Sequence, residues 1–199
     1  MDYQAKKFNL PEMEGLSKEG VEQHLGLYAG YVKNFNAIQA EMAALMPESE
    51  KHQHALSELQ RRLSFEFDGM RLHEYYFAQL EGGATPLSEG SALGKAVRDK
   101  WSTDIVTLMK SIGSMRGPGW AILYYDAFGQ QLQAGFSGEQ HQGHFVTLPI
   151  VLALDVWEHA FILDYGAQGK GTYIDAFFKN LNWSVIEQRF NALSSWKPQ

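Results

Sequence analysis

Val146-Thr147-Leu148-Pro149-Ile150-Val151-Leu152-Ala153-Leu154 runs directly into Asp155-Val156-Trp157-Glu158-His159-Ala160, so an apolar segment delivers a carboxylate and an imidazole four residues apart. The apolar part is too short to cross a bilayer and is rich in β-branched residues, so it reads as a buried strand over 146–154. Asp155 then stands at the strand's exit, with His159 one turn on. One anionic and one neutral donor carried by a rigid element suit a first-row transition metal.

Working outward, the chain of 199 residues is long enough for one large domain or two small ones with a substantial core. It contains no cysteine, which excludes disulfides, thiolate-held clusters, Cys zinc sites and thiol nucleophiles. Any metal must be held by His, Asp or Glu. The net charge of -6 and pI near 5.6 argue against nucleic acid or an anionic membrane as partner. No run reaches the roughly 18 apolar residues of a membrane span, and Met1-Asp2-Tyr3-Gln4-Ala5-Lys6-Lys7 lacks the apolar core of a secretory signal. The expectation is a cytoplasmic protein.

The N-terminal half reads as helical. Ser17 is placed to cap a helix in which Val21, Leu25, Tyr28, Val32, Phe35, Ile38 and Met42 recur at three- and four-residue spacing, with His24 on or beside that stripe. Pro47-Glu48-Ser49 breaks it, and a second helix is expected over 54–80 with Leu59, Leu63, Phe67, Met70 and Phe77 inward and His73 on the same face. Glu81-Gly82-Gly83-Ala84-Thr85-Pro86 reads as a linker. This divides the chain into a helical-hairpin domain over 1–82 and a C-terminal α/β domain over 87–199. In the latter, helices are expected over 92–99, 103–112, 172–179 and 184–193. Strands are expected over 120–125 and 131–136, joined across Asp126-Ala127-Phe128-Gly129, with the third over 146–154.

His24, His73, Asp155 and His159 stand out together. A lone histidine on an apolar helix face is most often a satisfied core residue, but two donors per lobe can close one site between the lobes. Three neutral imidazoles and one carboxylate carry a single negative charge, so a bound 2+ or 3+ ion keeps net positive charge that attracts a small anion. His52, His54, His141 and His144 read as less persuasive ligands. No phosphate-binding loop and no Gly-x-Ser-x-Gly elbow is present.

These residues resemble the iron/manganese superoxide dismutase family. Asp155-Val156-Trp157-Glu158-His159-Ala160 is similar to its Asp-x-Trp-Glu-His-Ala hallmark, and His73-Glu74-Tyr75-Tyr76-Phe77 to its His-x-x-[FY]-W. The stretch from Leu16 to His24 is similar to its Ile-Ser-x-Glu-Thr-Met-Glu-Tyr-His; Gly117-Pro118-Gly119-Trp120 and Asn182-Trp183 match two further motifs in order. The resemblance implies an α+β fold: a long N-terminal helical hairpin, then an α/β lobe with a three-stranded antiparallel sheet. It implies one Fe or Mn ion per chain held by His24, His73, Asp155 and His159 with a solvent molecule as fifth ligand, and ping-pong conversion of superoxide to oxygen and hydrogen peroxide. It also implies a homodimer or tetramer. Tyr31 matches the gateway tyrosine, Trp120 and Trp157 the pocket-wall aromatics, and Glu158 the glutamate that reaches the partner's ligand histidine.

The chain departs from the family pattern at several positions. Leu27 or Tyr28 stands where a pocket-mouth histidine is usual, Ile162 where a tyrosine is, and Phe77 and Ile122 where tryptophans are; an arginine is missing near Gly169 to Tyr173. Gly69 occupies a helix position where many iron enzymes carry glutamine, so the hydrogen-bond donor to the site is expected from the loop Gly138-Glu139-Gln140-His141-Gln142. Counting back from Pro149 and Asp155 favours Gln140, with His141 the alternative. These departures keep open a second reading, a metal-binding family member without turnover.

Overall fold

In the computed structural model, residues 2–196 are described. Helix α1 spans Lys18–Leu45, and Ser17 starts it: its extended backbone and its Oγ, which accepts the Gly20 N–H at 3.0 Å, satisfy a donor that the first turn leaves free. His24, Tyr28, Val32 and Phe35 form the buried stripe. A short 3-10 turn at Met46–Glu48, where Pro47 cannot continue the helical hydrogen bonding, leads into α2, Gln53–Ala78. The fully buried face of α2 begins only at Glu66. Leu59, Leu63 and Phe67, expected inward, are half-buried, because two helices cover only their facing stripes and the N-terminal segment adds only the edge of Tyr3 against Phe67.

Helices α3 (Ala92–Trp101) and α4 (Ile105–Gly113) follow, capped by the Ser91 and Asp104 side chains. The sheet has order β2-β1-β3, all antiparallel, from β1 Gly119–Asp126, β2 Gln131–Gly138 and β3 Ile150–Asp155. Central β1 is buried from Gly119 through Tyr125, so it is apolar without alternation, as a strand covered on both faces must be. The register sets Trp120 opposite Asp155 on one side and Ser137 on the other. Strand β3 is shorter than the apolar run that encodes it. Thr147 takes φ +66°, Val146 is exposed, and Pro149 has no N–H for a ladder, so pairing begins at Ile150.

After β3 come a 3-10 turn at Glu158–Ala160, the short α5 (Ile162–Tyr165), then α6 (Lys170–Asn180) and α7 (Trp183–Ser195). The segment 81–86 is stitched to both ends of the chain. Gly82 N–H donates to the Asn9 carbonyl at 3.2 Å and Thr85 N–H to that of Leu181 at 3.1 Å, while Thr85 Oγ1 donates to Asn182 Oδ1 at 2.9 Å. One hydrophobic core contains Tyr28, Met70 and Phe77 from the hairpin together with Trp120, Leu152 and Phe177 from the rest. His24, His73 and Asp155 are buried beside that core, where the hairpin meets the end of β3, and His159 is half-buried at its edge.

Candidate metal centre

Each candidate ligand is aimed by a different device. His73 Nδ1 lies 2.6 Å from the Gly69 carbonyl one turn back on α2; a carbonyl only accepts, so Nδ1 carries the proton and Nε2 presents a lone pair. That Nε2 is fully buried and has no hydrogen-bond partner among the described residues. Asp155 Oδ1 accepts the Trp157 N–H at 2.8 Å, which turns Oδ2 toward the imidazoles. Asp155 Oδ2 is 3.1 Å from His24 Nε2, 3.1 Å from His159 Nε2 and 3.7 Å from His73 Nε2. The four ligand atoms all lie within 4.8 Å of one another. Bonds of about 2.0–2.2 Å from one central ion would separate its ligand atoms by about 3–4 Å, so this spacing fits a single first-row ion. The orphaned His73 Nε2 fits it too, since a buried lone pair without a donor is costly unless a cation takes it.

Electrostatics agree with the donor set. Burial raises the Asp155 carboxyl, but contacts with His159 and His24 outweigh it and hold the group below the usual carboxylate range. Burial pushes His73 down to about 3 and also lowers His24. For His159 burial is outweighed by Asp155, and its affinity for a proton rises. His73 is therefore a neutral ligand at ordinary pH, and Asp155 an anionic one.

The wall is built around Gln140, which is fully buried although it sits in a loop. Its Oε1 accepts the Trp120 indole N–H at 2.8 Å, and its Nε2 donates to Tyr31 Oη at 2.9 Å. The Tyr31 ring lies 5.1 Å from that of His73, and burial lifts its phenol well above the ordinary value. Trp157 stacks on His159 at 5.8 Å, and Phe77 packs against His24 at 5.0 Å. Behind His24, the Tyr173 hydroxyl donates to that of Tyr76 at 3.2 Å.

Thus His24, His73, Asp155, His159, Tyr31, Gln140, Trp120 and Trp157 meet in one place. His141 does not join them: its ring packs edge-on to Phe65 at 5.6 Å, and among the described residues its Nδ1 has no hydrogen-bond partner. Glu158 is exposed on the outside of the 3-10 turn. Of the two residues matched to the pocket mouth, Tyr28 is buried and its hydroxyl donates to Glu74 at 3.2 Å, whereas Leu27 is exposed and shares a surface hollow with His159, Ile162 and Leu163. Lys170, three residues before Tyr173, occupies the stretch without arginine and donates to the Met115 carbonyl at 2.6 Å. Sequence reasoning passed over His144, whose ring touches Gln140's main chain, because nothing local in the sequence distinguishes it from a solvated loop histidine.

Residues 91–189 match the model of the iron/manganese superoxide dismutases, C-terminal domain. Among curated relatives, an iron superoxide dismutase of Aquifex pyrophilus is 32% identical over 183 residues, covering 89% of this chain and 85% of the relative. One of Cupriavidus metallidurans is 31% identical over 188 residues, covering 91% of each. A manganese superoxide dismutase of Mycobacterium lepraemurium is 27% identical over 196 residues, covering 98% of this chain and 91% of the relative.

Proposed function

The chain belongs to the iron/manganese superoxide dismutase family, and from that premise we propose that it converts superoxide to oxygen and hydrogen peroxide at the site formed by His24, His73, Asp155 and His159. The observation that carries this reading is the buried, partnerless His73 Nε2 facing a carboxylate oxygen and two further imidazole nitrogens. A bound iron or manganese ion supplies a one-electron acceptor and donor, so that one superoxide is oxidised to oxygen and the next, with two protons, is reduced to hydrogen peroxide.

The protein's own residues set the conditions for that exchange. Asp155 and three imidazoles leave a bound cation with net positive charge, and the burial of His24, His73 and Asp155 in low dielectric strengthens its attraction for a small anion. Tyr31 Oη accepts from Gln140, which leaves the phenol's own proton free to donate toward an incoming dioxygen species. Gln140, anchored by Trp120, is the donor that tunes the site. Apolar Trp157, Phe77 and Ile122 limit water. Superoxide consumption by preparations loaded separately with iron and with manganese tests the reading, and shows which metal supports turnover.

The reading includes a homodimer in which Glu158 of each chain bonds to His159 of the other. Three observations support it. Glu158 is exposed, and among the described residues His159 hydrogen-bonds within its chain only through Nε2. A ligand histidine normally donates its other ring nitrogen to a carboxylate. Leu27, Ile162 and Leu163, each more than 40% exposed, form an apolar patch beside His159 that a second copy, related by a two-fold axis, would cover. Light scattering of the protein and of Glu158→Ala tests this: a dimer that weakens on substitution supports it, and a monomer with full metal and activity opposes it.

A further inference from the structure

Gln140 is a buried side chain carried by a loop whose neighbours Glu139, Gln142 and Gly143 are exposed. The loop leaves β2 through a single bridge, Gln142 N–H to the Gly138 carbonyl at 3.1 Å, and takes left-handed backbone at Glu139 (φ +52°) and Gly143 (φ +89°). A group on such a loop is held less firmly than one on a helix or strand. Yet Gln140 must keep two hydrogen bonds at once, one to β1 and one to α1.

His144 supplies the missing constraint. Its Nε2 lies 2.9 Å from the Gln140 carbonyl and 3.2 Å from Ser137 Oγ, whose own proton goes to the Gln142 carbonyl at 2.9 Å. A carbonyl cannot donate, so Nε2 carries the proton. In the neutral ring Nδ1 is then an acceptor, and the Tyr124 hydroxyl, 2.8 Å away, donates to it. Tyr124 lies four residues from Trp120 on the same face of β1. One rigid strand therefore grips Gln140 twice: Trp120 holds its side-chain oxygen, and Tyr124, through His144, holds its main-chain oxygen.

We propose that His144 is a positioning residue, which fixes the main chain at Gln140 and so keeps the Gln140 amide between Trp120 and Tyr31. The consequence for turnover rests on the dismutase reading above; the placement of Gln140 does not.

The test uses the Trp120 indole N–H resonance of the full chain stripped of metal, since that proton reports directly on Gln140 Oε1. In His144→Leu the resonance moves or broadens; in His144→Gln, whose amide can still donate to the same carbonyl, it returns toward the wild-type position. Tyr124→Phe, which keeps the imidazole but not its orienting phenol, gives a smaller shift. After metal loading, the leucine variant should lose about threefold to tenfold in superoxide consumption, the glutamine variant less. An unmoved indole signal in folded His144→Leu, or in Tyr124→Phe should the leucine variant not fold, overturns the proposal. A moved signal in a protein whose loaded wild type consumes no superoxide retains the positioning role and removes the dismutase reading.

Discussion

The Tyr31 ring packs directly against Gly69, so close that a Cβ on residue 69 would sit 2.5 Å from Tyr31 Cδ1 and 2.7 Å from Cε1. Gly69 is helical and buried, so its role is space rather than backbone freedom. Its missing side chain is what lets Tyr31 reach Gln140. Gly69→Ala should displace the ring, destabilise the metal-free protein by about 1–3 kcal/mol in urea unfolding, and weaken the Tyr31–Gln140 bond. An alanine variant as stable as wild type, with Tyr31 unmoved, would contradict this packing.

Gln140 and His141 are adjacent in sequence but separate in space. Gln140→Ala removes the acceptor of Trp120 and the donor to Tyr31 and should cost about 10- to 100-fold in superoxide consumption while metal content stays near one ion per chain. His141→Ala, which touches Phe65 rather than the site, should cost far less. Steady-state assays with elemental analysis decide, and the reverse order of effects would show that the loop is misread.

Glu74, buried on α2 beside His73, gathers the N-terminal segment. Its Oε2 accepts from Lys6 Nζ and from Arg71 Nη1, each at 2.8 Å, and its Oε1 from the Tyr28 hydroxyl at 3.2 Å, while Tyr28 Oη also accepts the Lys6 N–H at 2.8 Å. Lys6 and Arg71 are partly solvated, which moderates the loss. Glu74→Ala is expected to lower stability by about 1–3 kcal/mol and expose the first residues to protease. Unchanged unfolding and cleavage rates would argue that the node is incidental.

Burial raises the Asp68 carboxyl above the usual 3.8, with nearby His144 and His141 opposing that rise in part. An acid whose folded pKa is raised favours its protonated form, so the ionised group costs stability above that folded pKa and nothing below 3.8. Asp68→Asn should therefore be more stable than wild type near pH 7, the gain fading as pH falls toward and below 3.8. Urea midpoints for both proteins at pH 7 and pH 3 measure it. A gain that persists at pH 3 would assign the effect to packing instead.

Most of the fold was legible because its signals are local. Ser17 announces α1 by its capping chemistry, and the strand that delivers Asp155 is an uninterrupted apolar run. The four donors were legible from local pattern, Asp155 and His159 four residues apart behind a strand and His24 and His73 each on an apolar helix stripe. Two of them are also aimed locally: His73 by the Gly69 carbonyl one turn back and Asp155 by the Trp157 N–H. What depended on non-local geometry was not legible. Which of Leu27 and Tyr28 lies beside His159 at the surface turns on one residue of helical phase: the Tyr28 hydroxyl bonds Glu74 on the other helix, and Leu27 lines the hollow with His159. Between Gln140 and His141 the sequence favours Gln140 by counting back from Asp155, but keeping His141 as the alternative reflects a loop register set by the Gly138–Gln142 bridge. The start of β3 differs from the expected Val146 because Pro149 and the left-handed Thr147 stop the ladder within an otherwise apolar stretch.

The dismutase reading requires that the ion held by His24, His73, Asp155 and His159 be redox-active and turn over superoxide. The most direct measurement is the decay of a known pulse of superoxide in the presence of substoichiometric, metal-loaded protein, with hydrogen peroxide quantified at the end. The account predicts many turnovers per ion, one hydrogen peroxide for every two superoxide consumed, and loss of both metal and turnover in Asp155→Ala. Superoxide decay no faster than in buffer, from protein verified to carry one iron or manganese per chain, would contradict it.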